Sequence, residues 1–326
     1  MSALAGEQVI LRADGGAESG IGHLMRCLAL ADALAGMGAK PALWTQQCPQ
    51  SVADIYAARG YSVFQAPPPQ KSARWLVVDS YTISAPERTA LRAYADHLMV
   101  IDDLGDNGPY DCALLLNPNP GARTDPYWDA ARAIAGAEYV LLRAEILRAD
   151  VRRRSGLPSK ILVSCGGTDP TGAAVAILKS IEPIAAPEMT IKVLTGVAPD
   201  NSISTSVGAA KLEVLRGRFD MAAQLNWADV GILAAGTVQW EAAYLGCPFV
   251  AVVVADNQVN GAQSFAQRGG SICVDWRAKK DPQSLTAALT RLLQDKEVRT
   301  RQTQAARNII DGDGAQRVVQ AMAQIV

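Results

Sequence analysis

The chain contains two histidines, and one of them follows a glycine-rich segment where it could take part in catalysis. Gly20-Ile21-Gly22-His23 lies between a strand-like run, Val9–Arg12, and a helix-like run, His23–Leu34. The positive end of a helix dipole disfavours a protonated imidazole, and a neutral imidazole near pH 7 can accept a proton from water. His23 is therefore a candidate general base, although a histidine at a helix start could also simply cap a turn. His97 is expected in a loop before a strand, with a structural or solvent-facing role.

Two further glycine loops could bind phosphate. Ser164–Pro170 and Ala235–Glu241 each connect a strand-like run to a helix-like run, and the free N–H groups at a helix N-terminus bind anions. Thr237 is placed to cap the second helix, and Glu241, one turn further on, could accept hydrogen bonds from ribose hydroxyls. Each loop could also be an ordinary strand-to-helix turn, but two in the same half favour a nucleotide diphosphate.

The first glycine loop does not match a dinucleotide-binding fingerprint. Met25 stands where the third glycine would be, and no acidic residue ends the following strand-like run, Pro41–Gln46. The sequence thus argues against NAD or FAD, and we expect no cofactor. Asp102-Asp103 follows a strand and could suggest a metal ion, but with two histidines and no cysteine pair a loop or helix-capping role is favoured.

Length and composition exclude several classes of protein. The 326 residues are too many for one typical core and predict two domains. A net charge of −1 provides no field that attracts nucleic acid or an anionic membrane, and no apolar run approaches the ~20 residues that span a bilayer. The scattered cysteines and an N-terminus unlike a signal peptide predict a reduced, cytoplasmic protein.

The alternation of short apolar runs with longer amphipathic runs predicts an α/β protein. Runs rich in Val, Ile and Leu, among them Val9–Arg12, Trp75–Asp79 and Phe249–Val253, indicate strands buried on both faces, hence parallel sheets covered by helices. A helix is predicted over Ala85–Tyr94. Arg148–Lys160 interrupts the pattern and is predicted to be a solvated linker, although Arg152-Arg153-Arg154 could also contact phosphate. We place the domains at 1–148 and 149–326, and the final helical segment, about 315–326, could cross back to pack on the first domain.

Polar residues also follow two other strands. Asp79-Ser80-Tyr81 and Ala255-Asp256-Asn257-Gln258 each come directly after an apolar run. Ligands of open α/β sheets bind at the carboxyl ends of the strands. Both segments are therefore candidates to line a ligand site.

Taken together, these motifs resemble the UDP-2,4-diacetamido-2,4,6-trideoxy-β-L-altropyranose hydrolases of pseudaminic acid biosynthesis. The resemblance covers nearly the whole chain, and its motifs occur in the family's order. They are Arg12-Ala13-Asp14, Gly20-x-Gly22-His23-x-Met25-Arg26-Cys27-Leu28, Ile101–Leu104, Gly166–Pro170, Trp240-Glu241 and Ala255–Gln258. The resemblance implies the GT-B architecture, in which two Rossmann-like domains with parallel sheets face a cleft. It also implies a relation to the glycosyltransferase that makes the lipid II precursor.

The resemblance further implies a reaction and a set of site residues. The family cleaves the anomeric C1–O bond with inversion and without a metal, releasing UDP and the free sugar, and His23 matches the histidine taken to activate water. The residues predicted to bind the sugar substrate are Asp14, Gly20, Gly22, Arg26, Asp79, Tyr81, Asn257 and Gln258. Those predicted to bind UDP are Gly166, Gly167, Thr168, Gly236, Thr237 and Glu241. The expected partner is the UDP-sugar substrate, with no nucleic acid, membrane or obligate protein partner.

The chain departs from the family at three points. Ala235 stands where a second glycine is usual, Thr237-Val238 where Ser-Thr is usual, and Ser80 where histidine is frequent. These changes bear on the exact sugar more than on the reaction class. Two alternatives stay open: a UDP-sugar-dependent glycosyltransferase of the same fold, which uses an acceptor in place of water, and an inactive sugar-nucleotide-binding module.

Overall fold

The computed structural model describes residues 3–16, 20–166, 169, 172–195, 206–217, 219–277 and 280–325. The strands are β1 (Gln8–Ala13), β2 (Lys40–Trp44), β3 (Ser62–Phe64), β4 (Ala73–Asp79), β5 (Ala95–Ile101), β6 (Leu114–Asn117), β7 (Ala133–Ala135), β8 (Lys160–Ser164), β9 (Thr190–Thr195), β10 (Ser206–Val207), β11 (Ala210–Arg216), β12 (Val230–Ala234), β13 (Phe249–Val253) and β14 (Ile272–Asp275). The helices are α1 (Gly22–Gly36), α2 (Gln50–Ala58), α3 (Ala85–Leu91), α4 (Ala144–Arg148), α5 (Ala173–Ile181), α6 (Met221–Trp227), α7 (Thr237–Tyr244), α8 (Val259–Gln267), α9 (Pro282–Gln294), α10 (Lys296–Ile309) and α11 (Gly314–Ala323).

The chain divides into two compact units. Unit 1 comprises Met1–Ala144 and Gly312–Val326, and unit 2 comprises Glu145–Asp311. Each unit is built on a seven-stranded sheet, in the order β3-β2-β1-β4-β5-β6-β7 in unit 1 and β10-β11-β9-β8-β12-β13-β14 in unit 2. All the pairings between these strands are parallel except that of β10 with β11.

Both sheets change winding direction next to their first strand. In unit 1 the chain adds β2 on one side of β1 and later adds β4 on the other; in unit 2, β9 and β12 flank β8 in the same way. Loops that leave the carboxyl ends of such neighbouring strands diverge, and the resulting crevice is where open α/β sheets bind ligands. The topology therefore indicates one candidate ligand position in each unit, beside β1 and β4 and beside β8 and β12.

The core of unit 1 includes the last helix of the chain. Val318, Val319 and Met322 on α11 are buried in the same cluster as Leu24 and Leu28 on α1. Burying side chains of this size is worth about 1.5–3 kcal/mol each. Helix α11 is thus a structural part of unit 1, although unit 2 precedes it in the sequence.

Two arginines of the predicted solvated linker, Arg152 and Arg154, are bound to unit 2, whereas Arg153 and Leu157 of the same segment are exposed. The Arg154 guanidinium donates hydrogen bonds to the carbonyls of Leu225, Ala228, Leu245 and Gly246, at 2.6–3.1 Å. Arg152 donates to the carbonyl of Trp227 at 2.6 Å. These are carbonyls left without helical partners at the ends of α6 and α7, where a cation also meets the negative end of the helix dipole.

The strands missed by the sequence patterns are short and lie at or near sheet edges. β3, β7 and β10 have two or three residues each and β14 has four, too few to show a period. Helix α3 ends at Leu91, before the Tyr94 expected from the pattern, and continues as a 3-10 turn over Arg92–Tyr94. Within the described ranges, no helix combines the length and apolar character needed to cross a membrane.

Candidate active site

His23 lies at the position beside β1 and β4 that the topology of unit 1 indicates. It is the second residue of α1, which begins after the loop that leaves β1, and its side chain is 11% exposed. Asp79 is the last residue of β4 and pairs in register with Ala13, the last residue of β1. Nδ1 of His23 lies 2.5 Å from Oδ1 of Asp79. A histidine and a carboxylate are thus brought together where two neighbouring parallel strands end.

Asp79 is fully buried and held by Arg26. Nε and Nη2 of Arg26 each donate to one carboxylate oxygen of Asp79 at 2.5 Å, and the Asp79 side chain is 0% exposed. Burial would raise the pKa of Asp79, but the charge of Arg26 and the hydrogen bonds from Arg26 and His23 outweigh it and hold that pKa well below the usual range. Asp79 is therefore an anion at neutral pH, and Arg26, one turn after His23 on α1, fixes its orientation.

A second carboxylate completes the network. Nη1 of Arg26 lies 2.9 Å from both oxygens of Asp103, and Nδ2 of Asn119 donates to Asp103 at 2.8 Å. The Tyr81 hydroxyl also donates to Asp103, and the Tyr81 ring stands edge-on against the imidazole, with 4.5 Å between ring centroids. Burial and the Asp103 charge raise the pKa of Tyr81 well above its usual value, so its hydroxyl stays protonated.

This arrangement favours one form of the imidazole for base catalysis. Because the Asp79 carboxylate can only accept, Nδ1 of His23 must carry the proton between them, which leaves Nε2 with a lone pair. Two carboxylates and one guanidinium surround a neutral imidazole, and the group becomes electrically neutral when Nε2 takes a proton. The network can therefore stabilise the imidazolium that forms when His23 removes a proton from water.

Three of the predicted substrate-binding residues make contacts within unit 1. Asp79 and Arg26 are buried and engaged with each other and with His23 and Asp103. Asp14 accepts hydrogen bonds from the N–H groups of Gln46 and Gln47 and pairs with Arg12 at 2.7 Å. The Asp14 contacts fix the loops after β1 and β2, and the Asp79–Arg26 contacts support His23. Direct contact of these three residues with a substrate stays a prediction.

The two glycines predicted to bind substrate at the start of α1, Gly20 and Gly22, have space around them among the residues that the structure describes. Gly20 has a φ of +74°, in the region that favours glycine, and a Cβ built at Gly20 or Gly22 would have no atom within 4 Å. Space for a ligand next to this backbone is therefore present. Tyr81, a residue that is 39% exposed, is also placed to contact a ligand beside His23.

In unit 2, the first predicted UDP loop follows β8. Gly166 is exposed and has a φ of +98°. Asp169 accepts hydrogen bonds from the N–H groups of Ala173 and Ala174 and thereby caps α5. Gly167 and Thr168 lie outside the described residues.

The second predicted UDP loop follows β12, on the strand next to β8. Gly236 is the N-cap of α7, and Thr237 is the first residue of the helix and makes no capping hydrogen bond through a side chain; the expected cap by Thr237 was wrong. Glu241 is placed one turn into α7 and is 4% exposed. The loop thus presents main-chain N–H groups rather than a threonine hydroxyl at the helix start.

The segment after β13 reaches the same helix N-terminus. Oε1 of Gln258 accepts a hydrogen bond from the N–H of Val254 at 2.9 Å, and Nε2 of Gln258 would lie 3.8 Å from a Cβ built on Gly236. Asn257 is half-buried in the same 3-10 turn. The structure therefore brings Gly236, Thr237 and Gln258 together at the carboxyl edge of the sheet of unit 2.

The Asp102-Asp103 pair has no metal-site geometry. Asp102 accepts hydrogen bonds from the N–H groups of Leu104 and Gly105 and closes the turn after β5, the loop role that the sequence favoured. In the part of the chain that is described, no group of three or more histidine, cysteine or acidic side chains is arranged to hold a metal ion.

Comparisons with known proteins agree on the architecture. No family model matches the chain. It is 23% identical, over 94% of its length and 95% of the relative, to the spore coat polysaccharide biosynthesis protein SpsG of Bacillus subtilis (strain 168). Among solved structures it resembles Acinetobacter baumannii MurG, with a TM-score of 0.66 and 15% identity over 98% of this chain and 99% of that one. It also resembles MnaA of S. aureus in a co-structure with UDP, with a TM-score of 0.68 and 12% identity over 98% of both chains.

These likenesses and the two seven-stranded sheets decide the fold. The chain has the GT-B fold. The predicted two-domain α/β architecture is thereby confirmed.

Two residues of the candidate site in this GT-B fold were missed by the sequence patterns. Asn119 holds Asp103, and Asn117 donates to the Asp103 carbonyl at 3.3 Å. Asn117 is the last residue of β6 and Asn119 follows the strand, in the polar stretch Asn117-Pro118-Asn119. A polar pair at a strand end is the signal that could have revealed them.

Proposed function

We propose that this protein hydrolyses a UDP-linked 2,4-diacetamido-2,4,6-trideoxyhexose at the anomeric C–O bond, with inversion, in pseudaminic (nonulosonic) acid biosynthesis. The observation that carries the proposal is the contact between His23 and the buried Asp79 carboxylate at the end of β1 and β4. The sequence motifs supply the substrate class, and the similarity to SpsG, a polysaccharide biosynthesis protein by name, is in keeping with it.

In the proposed mechanism, unit 1 activates water and unit 2 binds the nucleotide. Nε2 of His23 takes a proton from water as the water oxygen forms a bond to C1, on the face opposite UDP. The C1–O bond breaks and its electron pair leaves with UDP, whose diphosphate spreads the charge. N–H groups at the start of α7 and in the Gly166 loop would stabilise that charge, and a positioned base contributes about 10²–10⁴-fold.

A UDP-sugar-dependent glycosyltransferase is the second candidate. A structural likeness to CalG4, the calicheamicin glycosyltransferase, favours it, with a TM-score of 0.65 and 16% identity over 98% of both chains. The same base could activate an acceptor hydroxyl instead of water. UDP release separates the two, because a hydrolase releases UDP from its donor without any acceptor. An inactive binding module would bind UDP but would form no UDP from the UDP-sugar.

The test is incubation with a panel of UDP-diacetamido sugars, without an acceptor and with or without a chelator. Proton NMR follows the anomeric configuration of the first product. We expect UDP release with inverted product, unchanged by chelator, and a loss of at least about 10²-fold in kcat for His23→Asn. His97→Asn is the matched control, because His97 lies on β5 against Trp75, with 4.9 Å between ring centroids. Near-normal turnover by His23→Asn with intact UDP binding would remove His23 from the mechanism.

A further inference from the structure

Unit 2 contains a cavity of about 850 Å³ that none of the predicted site residues lines. One wall is a single face of α10, formed by residues at helical spacing from Lys296 to Asn308, and the facing wall is the segment 151–158. At a rise of 1.5 Å per residue, this face of α10 is about 18 Å long. The cavity is therefore large enough for an extended small molecule.

The cavity lies at the opposite edge of the sheet from the glycine loops. Pro158, Asp229 and Pro248 line it, and these residues immediately precede or lead into β8, β12 and β13. The Gly166 and Gly236 loops follow the other ends of β8 and β12. Because these strands have five residues each, about 16 Å of sheet separates the two edges.

The charged side chains that line the cavity are mostly cationic. Six cationic side chains face one carboxylate, Asp229, and that carboxylate is already satisfied by Arg152 at 2.7 Å and by the N–H groups of Ser159 and Lys160. Arg154 and Arg299 are likewise held by main-chain carbonyls. These cations are fixed in place by the fold.

The other three cations have no such engagement. Arg153, Lys296 and Arg307 are exposed, and their side chains make no hydrogen bond or ion pair with any part of the chain that the structure describes. Glu297, the acidic residue of α10, does not line the cavity and pairs with Arg301 at 3.4 Å. The cavity thus offers a surplus of donors and positive charge, with no acidic residue left to balance it.

We propose that this cavity binds a small molecule carrying two or more phosphate groups, at a site separate from the reaction. Several phosphate oxygens would satisfy Arg153, Lys296 and Arg307 together, which a single carboxylate could not. The concave shape and the inward-facing stripe of α10 favour a small ligand over a flat surface. The highly exposed Leu157 beside the cavity, 88% exposed, makes an anionic lipid surface the alternative that the test must separate.

The test measures binding of inorganic tripolyphosphate to the full chain by calorimetry, with saturating UDP present to occupy any nucleotide site. The triple variant Arg153→Gln/Lys296→Gln/Arg307→Gln should lose affinity about tenfold or more. The matched control, Arg268→Gln/Lys280→Gln/Arg291→Gln, removes the same charge from exposed positions outside the cavity and should bind as the unmodified protein does. Thermal unfolding of both triples checks that folding is unchanged.

Three outcomes would overturn the proposal. Equal weakening in both triples would show general electrostatic attraction instead of a site. Absence of tripolyphosphate binding to the unmodified protein would remove the ligand class. Binding to phosphatidylglycerol vesicles that the cavity triple abolishes, without any binding of tripolyphosphate, would assign the cations to a lipid surface. The measurement does not depend on turnover, so it stands apart from the proposed hydrolase activity.

Discussion

Nδ1 of His23 and Oδ1 of Asp79 lie 2.5 Å apart, although 56 positions separate the two residues in the sequence. If this pair forms the base, Asp79→Asn should lower kcat by about 10²–10⁴-fold with little change in UDP affinity. The neutral amide can neither fix the Nδ1–H tautomer nor stabilise the imidazolium. Steady-state kinetics with the UDP-sugar and calorimetry with UDP measure the two quantities.

The control for this variant is Asp96→Asn, which removes a half-exposed carboxylate paired with Arg74 at the surface. The variant also removes one of the two buried carboxylates that pair with Arg26, so unfolding must be followed in the same preparations. Unchanged kcat in a folded Asp79→Asn protein would contradict the assigned role.

Asp79 should also make the stability of unit 1 depend on pH in the acid range. Its pKa lies below the ordinary value of 3.8 in the folded protein. A carboxyl with a depressed folded pKa contributes stability that is fully present above the unfolded value and is lost as pH falls towards the folded one. The contribution of Asp79 to the free energy of unfolding should therefore be independent of pH above about pH 5 and should decrease below about pH 4.

Urea unfolding at a series of pH values measures this effect. The unmodified protein should lose more stability between pH 5 and pH 3 than Asp79→Asn does, since the variant has no proton to take up at this position. Parallel curves for the two proteins would show that Asp79 does not supply the effect.

Glu241 offers a test of the nucleotide half of the proposal. If its carboxylate accepts hydrogen bonds from ribose, Glu241→Gln should weaken UDP binding about tenfold. The same substitution should have no effect on binding of 2′,3′-dideoxy-UDP, which lacks both hydroxyls. An equal loss for the two ligands, measured by calorimetry, would mean that Glu241 acts through the protein and not on ribose.

Neighbouring arginines provide a matched pair for stability. Arg154→Met removes a guanidinium bonded to four carbonyls at the ends of α6 and α7, and should lower the free energy of unfolding by about 2–4 kcal/mol. Arg153→Met, one position earlier, removes an exposed side chain and should stay within about 0.5 kcal/mol. Chemical denaturation of both variants checks the difference; similar costs would contradict the capping role.

Two glycines at helix ends make a second matched pair. A Cβ on Gly314, the first residue of α11, would lie 2.2 Å from the carbonyl oxygen of Val140, a main-chain atom that cannot turn aside. Gly314→Ala should therefore cost about 1–3 kcal/mol in unfolding free energy. Gly36, at the end of α1, has no atom within 4 Å of such a Cβ, and Gly36→Ala should be neutral or stabilising by up to about 1 kcal/mol. A stable Gly314→Ala protein would mean that α11 can shift.

The buried strands were readable from the sequence because both of their faces are covered. The bounds of β13 (Phe249–Val253) were predicted to the residue, and those of β1 and β4 within one or two residues. Short continuous runs of Val, Ile and Leu are typical of parallel strands that are buried on both faces. β3 and β7 could not be predicted in this way, because a strand of three residues is too short to show an apolar run or alternation.

The candidate site was predicted in its residue types but not in its contacts. His23, Asp79 and Tyr81 were each expected at a strand or helix end, and the structure brings them together. That Asp79 lies under His23 depends on β4 being placed beside β1, which is a matter of strand order that local patterns do not contain. The roles of Arg152 and Arg154 could not be predicted for a similar reason. The carbonyl groups that they bind include that of Trp227, 75 positions from Arg152, and that of Leu245, 91 positions from Arg154.

The position of α11 sets the order in which this protein can mature as it is made. Unit 2 is complete once residue 311 has left the ribosome, whereas unit 1 still lacks Val318 and Met322 at that moment. The half of the molecule that is translated first therefore closes its core last. The His23 network belongs to that half, in the unit whose core α11 completes.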